Sequence, residues 1–445
     1  MIETGKPLDD TTIQQLVYIR GYRDREFFAN YFFGERCEHA FSRMHQDFFE
    51  QERYPERRGV KEAIAAPRGH AKTTFKLLIK VVHALCYNLE PFILIIGHTT
   101  QDAEERVGQI LEVLETNVRL KAAFGDLLPE ANKRRLRSRK RFETAHGCLV
   151  LGKSKGQSLR GLNHQGQRPS LIILDDVEAM DEVRNPEQRR KTREWFFKDI
   201  MKLGKLQGQT NITLIGTCLH PEALLPELLE NPAWQTSRYQ AVISFATNQT
   251  LWQQYRALLT DLSCANRVEQ AYAFYKHHED QMLEGADVLW PEGEPYEYLM
   301  RIRIEEGEAA FNSEKQNEPF DPERNLFNMQ RARFFQLTWA GQAIKALHWV
   351  NQDKQVPGES LAKIIAYHDP ALGQKPSQGG DPDYAAIVVV CQDEEGYLYV
   401  LDAYLEKDTP DQQVRRALSL YEKWGFSKLY YENNGSQALM GQIYK

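Results

Sequence analysis

The chain is short of several things at once. Its six cysteines (Cys37, Cys86, Cys148, Cys218, Cys264, Cys391) are scattered with no close pairs. That spacing suits neither a disulfide framework nor a zinc site and points to reduced thiols. No apolar run reaches the length of a bilayer, and Met1–Asp10 lacks the apolar core of a signal peptide. A cytoplasmic protein without a membrane partner is expected. Positive charge is not in excess: the net charge is −6, so any contact with nucleic acid must come from local patches. Internal repeats and low-complexity tracts are missing too. What remains is ordinary globular composition, 27% charged and 42% hydrophobic, in 445 residues. That length is too great for one ordinary core and predicts two domains.

One loop stands out. Residues 65–74 read Ala-Ala-Pro-Arg-Gly-His-Ala-Lys-Thr-Thr, between a short apolar run and a helix-like segment. A tight strand-to-helix turn exposes backbone N–H groups and the positive end of a helix dipole, which phosphate oxygens suit. Lys72 then supplies a cation and Thr73 a hydroxyl for Mg²⁺, as in a P-loop. Arg68, Gly69, His70, Ala71 and Thr74 complete the candidate ATP-binding loop. Glycine is scarce even here: Ala66 and Ala71 stand where the standard motif has Gly. A positive φ at Ala71 costs about 1–2 kcal/mol, so either only Gly69 leaves the ordinary backbone regions or the loop binds nucleotide less well.

Residues 170–176 read Ser-Leu-Ile-Ile-Leu-Asp-Asp, a buried-strand pattern ending in two carboxylates. Four successive apolar residues suit a parallel strand covered on both faces, and ligands bind at the carboxyl ends of such strands. Asp175 is the expected Mg²⁺ residue. Asp176 or Glu178 is expected to orient the attacking water.

The first half alternates strands with helices. Strands are predicted at Glu62–Ala66, Phe92–Gly97, Cys148–Gly152, Leu171–Asp175, Asn211–Gly216 and Tyr239–Ser244, and helices at Thr73–Tyr87, Gln101–Phe124 and Pro186–Leu203. This is the alternation of a parallel sheet flanked by helices. An ATPase domain over 1–350, with a helical lid over about 251–350, a linker at 351–360 and a second domain over 361–445 are expected. The second domain opens on strands Leu361–His368, Tyr384–Cys391 and Tyr397–Tyr404, followed by a helix around Asp411–Trp424 and a strand Lys428–Glu432.

Two of those strands end in acids, Asp369 and Glu432. In an RNase H-like arrangement they sit side by side. Two-metal phosphodiester hydrolysis needs about three or four carboxylates around ions about 4 Å apart; Asp381 or Asp383 can supply another.

Taken in order, these motifs resemble those of the large terminase subunit of tailed bacteriophages, the DNA-packaging ATPase-nuclease. Arg68 lies four residues before Lys72, as in the Arg-bearing terminase loop. Asp175-Asp176 stands in the Walker B place, where terminases usually carry Asp-Glu. Ile215-Gly216-Thr217 is similar to the coupling motif, and Ser158-Leu159-Arg160-Gly161 to a segment whose arginine is a candidate finger for the γ-phosphate, in cis or from a neighbouring subunit. His45-Gln46 resembles the adenine-recognising glutamine motif, with Gln46 as the reader. Phe311-Asn312-Ser313-Glu314 with Gln316-Asn317-Glu318-Pro319 is familiar from the end of the ATPase region.

The resemblance implies a P-loop ATPase domain followed by a partial RNase H-like nuclease. It implies ATP and Mg²⁺ as cofactors, with Mn²⁺ an alternative at a nuclease site formed by Asp369, Glu432 and Asp383. Double-stranded DNA, the portal protein and the small terminase subunit are the implied partners, met as a homo-oligomeric ring on the prohead in the host cytoplasm. The family's further catalytic Asp falls beyond Lys445, so an incomplete nuclease is expected. A decayed or truncated prophage remnant that binds DNA or nucleotide without turnover, and a helicase-like repair ATPase, are the alternatives. The helicase needs a second motor domain, which the residues after Gly358 do not resemble. Basic segments at Lys133–Arg141 and at Arg189, Arg190, Lys191 and Arg193 are candidate phosphate contacts.

Overall fold

The computed structural model describes residues 10–129, 137–205, 208–319, 332–341, 343–350, 354–371 and 384–432. The chain divides into two compact units, Met1–Asn325 and Leu326–Lys445. Expected positions Asp381, Asp383 and 133–136 lie outside the described residues.

The first unit is built on a sheet of seven strands: β1 Lys61–Ala65, β2 Phe92–Gly97, β3 Arg141–Glu143, β4 Leu149–Ser154, β5 Leu171–Asp175, β6 Asn211–Gly216 and β7 Gln235–Arg238. Their order is β3-β4-β2-β5-β6-β1-β7. All neighbours run parallel except the pair β3–β4. β2 and β5 are buried along their whole length, as strands covered on both faces must be. Alternate residues serve two cores. Ile64, Ile93, Ile95 and Ile173 pack on one face with the aromatic helix Arg25–Phe33, and Ala63, Leu94, Ile96 and Ile172 on the other with Phe196 of the helix Pro186–Lys198.

Register levels the functional ends of the strands. Ala65 pairs with Gly216, Asp175 with Ile215, and Gly97 with Asp175. β6 therefore separates the strand that feeds the loop from the strand that ends in Asp175-Asp176.

Two expectations are corrected. The strand predicted at Tyr239–Ser244 is not in this sheet; the edge is β7, a polar strand with no apolar alternation to reveal it. Val242–Ser244 (β8) pairs instead with Asp287–Val288 (β9), and Ala241, Val242 and Ala246 join a separate core around Trp252, Tyr255 and Phe311. The single helix expected at Gln101–Phe124 is two, Thr100–Thr116 and Val118–Phe124. Asn117 breaks it with ψ 102, its side chain accepting from the Leu120 amide at 3.0 Å as an N-cap.

Helices predominate over Gln249–Glu314, interrupted by β9, and strands β10 Phe335–Ala340, β11 Ala343–Trp349 and β12 Gln355–Pro357 follow where the end of the lid and the linker are expected. The division falls ahead of them, between Asn325 and Leu326. Phe335, Leu337 and Trp339 alternate at the strand period, and Gly341 turns the hairpin with φ 65.

The second unit adds β13 Ile365–Asp369, β14 Ala385–Gln392, β15 Leu398–Glu406 and β16 Lys428–Tyr431, ordered β15-β14-β13-β16. β13 runs antiparallel to β14 and parallel to β16. The helix Pro410–Trp424 covers one face, packing Ala417, Leu420 and Trp424 on Ala366, Ile387 and Val389.

Candidate functional site

The loop after β1 is held where the sheet ladder runs out. The Ala66 amide donates to the Gly216 carbonyl at 3.0 Å, and the Asp176 amide to that of Ile215 at 3.0 Å. The helix that follows opens into a wide turn over Thr74–Ile79, a form that occurs often at functional sites.

The side chains of three strand ends converge. The Lys72 ammonium, 8% exposed, donates to the Thr217 hydroxyl at 2.6 Å and the Ala66 carbonyl at 3.3 Å, and lies 3.6 Å from Asp176 Oδ1. The Thr73 hydroxyl donates to Asp175 Oδ1 at 2.9 Å. Sequence reading singled out all five residues, and the fold brings them together as two hydrogen-bonded pairs, Lys72–Thr217 and Thr73–Asp175, with Asp176 in an ion pair with Lys72. Asp175 is buried, which pushes its carboxyl above the usual range; Asp176 beside it adds to the shift, and Arg106 and Thr73 oppose it.

Asp176 and Glu178 part company. Asp176 faces the loop with its side chain 49% exposed. Glu178 turns away: its two oxygens accept the amides of Leu224 at 2.9 Å and Leu225 at 3.2 Å, at the start of the helix Leu224–Leu229. Burial raises its carboxyl, and those two bonds oppose the shift.

Of the two alternatives for the loop backbone, the one confined to Gly69 is overturned. Ala71 has φ 54 and Asp176 φ 45, alongside Gly69 at φ 89. The strained conformation is thus adopted without glycine, at about 1–2 kcal/mol for Ala71. Asp is more tolerant of that region.

Other expected residues contribute less directly. His70 is buried against Trp290 and Glu294, so it serves the loop through its backbone. Burial, helped by nearby Lys315, lowers its imidazole to about 3. Arg68 is exposed, 3.5 Å from Glu314. Gln46 is exposed on the helix Arg43–Gln51, and it is His45 that reaches the loop, at the His70 carbonyl. Arg160, 84% exposed, is held by Asp199 at 3.1 Å.

Sequence reading missed Arg106, whose Nε donates to Asp175 Oδ2 at 2.9 Å. It stands on an amphipathic helix among other charged residues, and nothing in the chain marks it.

In the second unit, His368 and Tyr431 are in register on parallel strands, so Asp369 and Glu432 follow at neighbouring ends. The Glu432 amide donates to the His368 carbonyl at 2.9 Å. His368 lies beneath, 3.1 Å from Gln413. Among the described residues no group of three or more His, Cys, Asp or Glu is arranged to hold a metal.

Several of the described side chains of the basic segments are in ion pairs. Arg189 pairs with Glu222, Arg190 and Lys191 with Glu187, and Arg193 with Glu227. Arg137 pairs with Glu115 and Lys140 with Glu104. Such a helix face is a solvated one. No helix among the described residues is long and apolar enough to cross a membrane.

No family model matches the chain, and no curated protein matches it. Among solved structures, the HK97 bacteriophage large terminase is similar over 91% of this chain and 72% of its own, at 13% identity and a TM-score of 0.33. The large terminase of a thermophilic bacteriophage, in complex with ADP, is similar over 91% of this chain and 81% of its own, at 9% identity and a TM-score of 0.33. The bacteriophage Phi-29 viral genome packaging motor assembly is similar over 91% of this chain and 99% of its own, at 11% identity and a TM-score of 0.30. Large terminases are the family that the sequence motifs resemble.

Proposed function

We propose that the chain is an ATP-hydrolysing motor of the large terminase type, driving double-stranded DNA into a prohead. The observation that carries this reading is the convergence of Lys72, Thr73, Asp175, Asp176 and Thr217 on one strained loop. Lys72 and the loop amides bind the phosphates. The Thr73 hydroxyl and Asp175 carboxylate are hard oxygen donors of the kind Mg²⁺ prefers, and burial of Asp175 gives a cation a reason to be there. Bound Mg²⁺ supplies charge neutralisation at the phosphates. Asp176 orients the attacking water, since Glu178 is committed to a helix terminus.

Asp176→Asn is expected to lower ATP turnover by about 10²–10³-fold with nucleotide affinity nearly kept. Glu178→Gln should keep turnover within a few-fold and lower thermal stability instead. Steady-state phosphate release and nucleotide titration on both variants decide it. The reverse pattern would give the catalytic part to Glu178.

Thr217 links Lys72 to the end of β6, a route by which hydrolysis can move the DNA-gripping surface. Arg160 is assigned the finger, offered from its exposed loop to a neighbouring subunit of a ring. Portal and small subunit are the partners this reading requires. The second unit is read as an RNase H-like endonuclease using Asp369, Glu432 and Asp383 with Mg²⁺ or Mn²⁺. Plasmid cleavage that is lost in Asp369→Ala supports that assignment; cleavage unchanged in that variant refutes it.

A further inference from the structure

The phosphate loop lacks the glycines that would let it hold its shape cheaply, so something else must hold it. Three elements grip its backbone. From β6, the Gly216 carbonyl accepts the Ala66 amide at 3.0 Å. From the helix Arg43–Gln51, His45 Nδ1 accepts the Ser42 amide at 3.0 Å, which leaves Nε2–H to donate to the His70 carbonyl at 3.1 Å. From the end of the helical subdomain, the Glu314 carbonyl accepts the Arg68 amide at 2.9 Å, and the Lys315 ammonium donates to the Arg68 carbonyl at 2.8 Å.

Lys315 is itself fixed. It is buried, and it donates to both oxygens of Glu294 at 2.6 and 2.9 Å. Glu294 presses on the crest so closely that a Cβ on Gly69 would lie 2.5 Å from its Oε1. The segment carrying Lys315 is anchored in turn. Asn317 accepts the Cys218 amide at 2.9 Å and donates to the Tyr239 carbonyl at 2.8 Å, and the Ser313 hydroxyl donates to the Cys218 carbonyl at 3.1 Å. Cys218 follows Thr217, the partner of Lys72.

We propose that Glu294 and Lys315 are positioning residues that clamp the crest of the loop and hold Ala71 in its left-handed conformation, replacing the missing glycine. A strained backbone persists only where its surroundings over-determine it, and a buried ion pair is better at specifying a geometry than at adding net stability. The clamp also joins the loop to the helical subdomain, so nucleotide occupancy and the position of the segment around Asn317 are coupled. The proposal rests on reading the loop as a nucleotide site.

The test compares wild type, the neutralised pair Glu294→Gln/Lys315→Met, Ala71→Gly, and the triple variant. Hydrogen exchange of the peptide spanning residues 63–75 and titration with a fluorescent ATP analogue are read on each. Removing the pair should speed loop exchange and raise Kd by about tenfold each, the size expected from the strain of one left-handed alanine. Adding Ala71→Gly should restore Kd to within about threefold of wild type, because glycine adopts that conformation without strain. An equal loss with and without Ala71→Gly would make the pair merely structural and overturn the proposal. Unchanged exchange and affinity on removing the pair would do the same. Lys315→Arg keeps the charge facing Glu294 but disturbs the bond to Arg68, and provides the same comparison if the neutral pair does not fold. A wild-type chain that binds no nucleotide would sink the site reading, while the exchange comparison would still decide the clamp.

Discussion

Lys72→Ala is expected to abolish ATP hydrolysis while leaving the fold intact. The ammonium is the only cation among the described residues with a contact to both Asp176 and Thr217, and it is buried beside a loop whose crest, Arg68 and Gly69, is exposed. Without it Thr217 loses its link to the loop, and on the proposed reading the phosphates lose a point charge. A preorganised charge of this kind contributes about 10²–10³-fold in rate, and nucleotide affinity should fall as well. Phosphate release and circular dichroism measured together check this. Turnover within a few-fold of wild type in a folded variant would remove Lys72 from the mechanism.

Lys76→Met is expected to have the largest effect on stability. Lys76 has no exposed surface, and its ammonium lies 3.0 Å from Glu62 and 3.2 Å from Glu52. Lys80 meets Glu62 at 2.6 Å and Arg25 meets Glu52 at 2.8 Å. The network borders a cavity of about 70 Å³ at the N-terminal end of the strands, away from the phosphate loop. Removing this shared cation takes one buried contact from each carboxylate and leaves Lys80 to Glu62 and Arg25 to Glu52, so the loss should approach without exceeding that of a broken buried pair, about 3–5 kcal/mol. Urea denaturation at neutral pH measures the loss. A change under about 1 kcal/mol would mean that the network relaxes around the gap.

The network also sets a pH response. Burial alone would raise Glu62, but Lys76 and Lys80 outweigh it and hold the carboxyl well below its usual range. A carboxyl depressed on folding contributes stability that is full above its unfolded value and is lost as pH falls towards the folded one. Wild-type stability should therefore decline as acid is added below about pH 4.3, the unfolded glutamate value, and the penalty of Lys76→Met should shrink there.

Much of the first unit is legible because its signals are local. Phe92–Gly97, Leu171–Asp175 and Asn211–Gly216 are apolar runs bounded by glycine or acid, and they form strands with those bounds. Lys72, Thr73, Asp175 and Thr217 are readable because each stands at or just beyond the end of such a run. What cannot be read depends on partners distant in the chain. Glu178 looks as catalytic as Asp176 until Leu224 and Leu225 present their amides. Arg106, Glu294 and Lys315 matter only because the fold delivers them to Asp175 and Arg68. A left-handed Ala71 looks too costly from the sequence because the clamp is invisible there. The hairpin Phe335–Trp349 does carry a strand alternation, but it follows a helical stretch and reads as its continuation. β7 carries no signal at all.

The most direct test of the central claim is ATP turnover by the 445-residue chain, with and without Mg²⁺ and double-stranded DNA. Mg²⁺-dependent phosphate release that rises with DNA is the predicted result. A folded chain that binds ATP analogues but releases no phosphate under either condition would contradict the motor and leave a nucleotide-binding remnant.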